Sequence, residues 1–123
     1  MNALGLIALL ALMLAACGGE TQETCSAPLS QAAADGLYLN AEACTGITAA
    51  PPNIVYENYI GPAGAYGFAT HEVLLNTNGN YAQDCATVAS VLRHEFVHHL
   101  LNAADLPIDD NRTHKSPLFG LCG

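Results

Sequence analysis

Residues 92–101 read LRHEFVHHLL. They lie in CATVASVLRHEFVHHLLNAA, a run without Gly or Pro that ends at Leu106-Pro107. The run predicts a helix over 84–103, with Asp84 at the N-cap position. Val88, Val91, Leu92, Phe96, Leu100 and Ala103 place apolar groups on several faces, so the helix belongs inside the protein. Within it stand His94, Glu95 and His98. Residues four apart share a helix face, so the two imidazoles can turn toward one ion. Glu95 is rotated by about 100° from His94 and is left to reach water rather than join the inner shell. Placing two histidines and a carboxylate in a buried helix without a use for them would be costly.

The order His-Glu-x-x-His, its buried helix and, more loosely, the strand before it resemble the zincin metallopeptidases. The resemblance implies bound zinc, Glu95 as general base, and hydrolysis of peptide bonds. Catalytic zinc usually has three protein ligands and one open position. The extended zincin motif would need Gly at 101 and His at 104, where this chain has Leu101 and Ala104. No glutamate follows Glu95 to serve as a later ligand. The remaining candidates are His99, Asp105, Asp109, Asp110 and His114. His99 points about 100° from His98 and reads as a packing or hydrogen-bonding residue. Asp109 lies eleven residues past His98, where zincins with an aspartate ligand carry it, but their Gly-Thr mark is missing. Imidazole is a favoured zinc donor. His114 is therefore the preferred third ligand, with Asp109 or Asp110 as alternatives. His114 stands in NRTHKSPLFGLC, and the combined pattern H-E-x-x-H…H-x-S-P-L-F…C is similar to small bacterial zincin-like lipoproteins. Leu118, Phe119, Leu121 and Cys122 are available to anchor the tail. In zincins the strand before the motif helix takes substrate as an added strand, which here implies residues 70–75. His71, Tyr66, Tyr81 and Arg112 are open candidates for stabilising an oxyanion.

The opening MNALGLIALLALMLAACGG has an apolar core over residues 3–16. A membrane-spanning helix needs about 20 residues, so the core fits a signal peptide instead. Leu14-Ala15-Ala16-Cys17 resembles the lipobox of bacterial lipoproteins. That implies cleavage after residue 16, lipidation of Cys17, and a lipid anchor in the bacterial envelope. Gly18 follows, not Asp, which implies the outer membrane rather than the inner where a host has both. Residues 1–16 thus read as a signal peptide, 17–24 as a tether and 25–123 as one small zincin-like metallopeptidase domain.

Four cysteines remain: Cys25, Cys44, Cys85 and Cys122. An even number in an exported domain predicts two disulfides, with three pairings open. No C-x-x-C spacing supports a thiolate zinc site. The net charge is -8, which argues against nucleic acid as a partner and against a polybasic route to lipid.

The remaining elements are a helix over 29–44, a strand over 53–59, a Gly/Pro loop over 61–67, a strand over 68–76 and a turn cluster over 76–80. The first helix carries an apolar stripe of Leu29, Ala33, Leu37, Ala41 and Cys44 and stops at Gly46. The tail from 105 lacks periodicity. This is an α+β arrangement. Three functions follow in order: a lipid-anchored zinc peptidase, a non-catalytic zinc-stabilised binding or scaffold lipoprotein, and a zinc buffer. The retained Glu95 favours the first, and a buffer would carry a His-rich run that this chain lacks. A domain this small has little room for deep side-chain pockets and implies broad or shallow specificity, or processing of one partner presented at the membrane.

Overall fold

The structure, a computed structural model, describes residues 29–78 and 85–123. The expected signal peptide, lipidation site Cys17 and tether, together with Cys25, the tip of the expected 76–80 turn, Tyr81 and the expected Asp84 cap, lie outside the described residues. The fold is α+β. Its elements are α1 (Gln31–Thr45), β1 (Asn53–Glu57), β2 (Gly64–Gly67), β3 (Glu72–Asn76), α2 (Cys85–Ala103), α3 (Ile108–Arg112) and α4 (Leu118–Cys122). No helix among the described residues is long and apolar enough to cross a membrane.

Ser30 caps α1 through its hydroxyl, which accepts from the Ala33 amide at 3.2 Å. Gly46 ends the helix in the left-handed region at φ 72°, and its amide donates to the Glu42 carbonyl. Glycine adopts that conformation without a Cβ clash. The buried face is Ala34, Tyr38 and Ala41, one residue over from the expected Ala33–Leu37 stripe. Tyr38 decides the rotation. Its ring meets Phe96 of α2 edge-on, with centroids 5.1 Å apart. Its hydroxyl donates to the Ala49 carbonyl at 2.9 Å. A large aromatic with a satisfied polar tip stabilises more than Leu37 at the margin.

The sheet has the order β1-β3-β2. β3 pairs parallel with β1 and antiparallel with β2, with Val73 opposite both Ile54 and Tyr66. β2 falls in the stretch read as a loop, because its glycines mask strand propensity. Pairing with β3 makes it a strand. Gly64 has a packing role: a Cβ there would stand 2.6 Å from Val91 Cγ1 and 3.0 Å from Glu95 Oε1. Only glycine lets this edge strand lie so close to α2.

The core gathers Ala34, Tyr38, Ala41, Val73, Leu75, Val88, Leu92, Phe96 and Leu100. It joins α1, β3 and α2 into two layers. From Glu95 to Leu101 every residue of α2 is buried, as its all-round apolar character requires. The tail is not irregular. It forms two one-turn helices that fold back onto α2. They are too short to show periodicity in sequence. A disulfide joins Cys44 at the end of α1 to Cys122 at the end of α4. Cys85 is also disulfide-bonded.

Candidate metal centre

α2 places His94 and His98 one turn apart, and their ring centroids lie 5.0 Å from each other. The tail brings in the third imidazole. His114 Nε2 lies 3.0 Å from His94 Nε2 and 3.1 Å from His98 Nε2. The three form a group that could hold a metal ion. Asp105, Asp109 and Asp110 are not part of it. Asp110 instead forms an ion pair with Lys115 at 2.8 Å.

His114 reaches this position at a backbone cost. Its φ is 57°, a left-handed conformation that disfavours a side chain by about 1–2 kcal/mol. Hydrogen bonds fix the turn on both sides: the His114 amide donates to Asn111 O, and the Lys115 amide to Asp110 O. Strain of this kind concentrates where geometry serves a site.

The donor chemistry fits a cation. Asn111 is 2% exposed. Its Nδ2 donates to the His98 carbonyl at 2.9 Å, which turns Oδ1 toward His98 Nδ1 at 2.7 Å. His98 Nδ1 must therefore carry the proton, and in the neutral ring Nε2 is a bare lone pair. That lone pair faces His114 Nε2. Separations of 3.0–3.1 Å are close to the roughly 3.3 Å between nitrogens sharing a tetrahedral ion at about 2.0–2.1 Å. Burial and the neighbouring imidazoles hold His98 at about 4 and also lower His94. Both rings thus favour the neutral, ligating form.

Phe119 closes the cluster from α4. Its ring centroid lies 5.3 Å from His94 and 4.6 Å from both His98 and His114. Of the expected tail anchors, Leu121 does not serve, since it is 74% exposed.

Glu95 is 6% exposed. Burial pushes its carboxyl up to about 7. Among the described residues no hydrogen bond or ion pair reaches this carboxylate. It lines two shallow hollows that also share Gly64 and His94. One, of about 360 Å³, extends toward Ser90 and Phe119. The other, of about 260 Å³, extends toward Tyr66, Phe68 and Arg112. Together they make a trough beside β2.

The expected substrate strand is corrected by this topology. Residues 72–76 form the central strand, hydrogen-bonded on both sides. Its edges have no vacancy for an added strand. β2 is the edge strand bordering the trough.

The oxyanion candidates separate. Tyr66 OH lies 3.1 Å from both His71 Nδ1 and His99 Nδ1, and accepts from Asn102 Nδ2 at 3.1 Å. His99 Nε2 donates to the Ala50 carbonyl at 2.7 Å, so its Nδ1 accepts from Tyr66. Tyr66, His71 and His99 thus belong to a hydrogen-bond network that fastens β2 to α2. Arg112 alone of the described candidates lines the trough without belonging to that network.

Sequence reasoning missed Asn111 and Asn102. Both are amides among polar neighbours, and their roles arise from partners distant in sequence. Replacing Asn111 with Ala is expected to destabilise the metal-free protein by about 1–3 kcal/mol, because buried groups of His98 lose their partner. Metal affinity is expected to fall about 10- to 100-fold. Urea unfolding and metal titration check the two effects. Wild-type values in both would remove Asn111 from the support of His98.

No protein-family model matches the chain, and neither a curated protein nor a solved structure matches it.

Proposed function

We propose that this protein is a lipid-anchored, zinc-dependent peptidase acting outside the cytoplasm. The observation that carries the reading is Glu95, a buried carboxylate without a partner among the described residues, one residue from a ligand in a three-imidazole cluster. A purely structural site has no need of such a base and is usually closed by four ligands. His94, His98 and His114 would hold the zinc. When bound, zinc supplies Lewis acidity toward a carbonyl and toward water. Glu95 takes a proton from the attacking water at its carboxylate and returns it to the leaving amine. Its position near neutrality in the metal-free protein suits a group that must do both. The free edge of β2 aligns an extended peptide by main-chain hydrogen bonds. The disulfide between Cys44 and Cys122 supports an oxidising compartment, as does the lipobox-like Leu14-Ala15-Ala16-Cys17 for a lipid anchor at the envelope.

The test uses the full chain loaded with zinc and a panel of unrelated peptides. Wild type is expected to hydrolyse them, and chelation to stop it. Glu95→Gln should keep its zinc and lose activity by at least about 100-fold. Full activity in that variant would refute the role of Glu95. Stoichiometric zinc without hydrolysis by wild type would leave a metal-stabilised scaffold.

A further inference from the structure

We infer that Arg112 selects substrates carrying a carboxylate a few residues from the scissile bond. The inference builds on the peptidase reading and names its substrate class. The chain has only three Lys and Arg residues against eleven acids. Lys115 is engaged by Asp110, and Arg93 is exposed on α2 and lines neither hollow. Arg112 sits in the same hollow as the three imidazoles and Glu95. Its guanidinium lies over the Phe68 ring, 5.1 Å from the centroid. Stacking on an aromatic face orients the planar donor fork while leaving its edges available. No carboxylate pairs with it among the described residues.

The placement along the strand sets the register. Glu95 approaches β2 at Gly64, and Phe68 follows the end of β2 at Gly67. Four residues of extended chain cover about 13 Å. A peptide laid along this edge with its reacting carbonyl near Glu95 carries a residue three or four positions away beneath Arg112. Arginine binds carboxylate through two parallel hydrogen bonds, which a neutral amide cannot match. The hollows are shallow, so shape discriminates little and this one charge discriminates more.

The probe is a set of labelled peptides in pairs, Glu against Gln at each position and free C-terminal acid against amide. Binding is measured on the zinc-loaded full chain carrying Glu95→Gln, so no turnover is needed. One position is expected to show about tenfold tighter binding of the acid. Adding Arg112→Gln should reduce that ratio below about twofold, and Arg112→Lys should keep part of it. In the Glu95 protein, kcat/KM should show the same ratio. The Glu/Gln and acid/amide arms tell a side-chain carboxylate from a terminal one. A ratio near one, a ratio that survives Arg112→Gln, or an equal fall in kcat for acids and amides would overturn the inference. So would the absence of any peptide binding. Selective binding with no hydrolysis by wild type would leave Arg112 in place and defeat the peptidase reading. Hydrolysis of acids and amides alike would do the reverse.

Discussion

His114→Ala is expected to bind zinc at least about 100-fold more weakly than wild type. Structural zinc sites with four ligands are worth about 10–16 kcal/mol, so one ligand accounts for roughly 3 kcal/mol, or more than two orders of magnitude. No other residue of the cluster replaces the lost imidazole: the group contains no carboxylate, Asp110 is held by Lys115, and Glu95 is rotated by about 100° from His94 along the helix. The metal-free protein should hardly notice the change. His114 is exposed, and exposed substitutions usually shift stability by no more than about 0.5 kcal/mol. Its removal also takes away a neighbour that disfavours protonation of His94 and His98. The two readouts are a competition titration of zinc against a chelator and thermal melting in its presence. Wild-type zinc affinity in the variant would transfer the third ligand to an aspartate. A large loss of metal-free stability would show that His114 serves packing.

The site was legible where its physics is local. His94, Glu95 and His98 announce themselves because helical spacing converts sequence directly into geometry. The burial of their helix follows from Val88, Leu92, Phe96 and Leu100 in the same way. His114 could be preferred only on ligand chemistry, because its approach depends on a left-handed turn and two one-turn helices that leave no periodic trace. β2 was hidden for a related reason. Gly64 and Gly67 lower its strand propensity, and its existence depends on pairing with β3. The consequence for the proposed function is large, since the free strand edge beside the site is Gly64–Gly67 and not residues 70–75. Tyr66 shows the same limit from the side of polar groups. Its sequence neighbours say nothing of His99 and Asn102, which occupy its hydroxyl.

The disulfide between Cys44 and Cys122 is expected to hold both the fold and the candidate metal centre. It closes a loop with a sequence separation of 78. Loop-closure entropy for that length corresponds to about 4 kcal/mol, a large share of the stability of a domain this small. The effect on the site follows from how little else restrains α4. None of its residues is buried, and a single helical turn has no stability of its own. Phe119 is its main inward anchor, and that ring covers His94, His98 and His114. Without the cross-link α4 should fray and expose the imidazoles to water. His94 and His98 would then lose the burial that keeps them neutral, and protons would compete better for their nitrogens. The paired Cys44→Ser and Cys122→Ser variant should therefore unfold at lower urea, with stability reduced by about 4 kcal/mol. Amides of residues 118–122 should exchange faster under native conditions. Zinc affinity should fall more at pH 6 than at pH 8. A variant within about 1 kcal/mol of wild type, with slow exchange in those residues, would show that packing alone secures the tail. An affinity loss equal at both pH values would remove burial by Phe119 as the reason the tail matters to the metal.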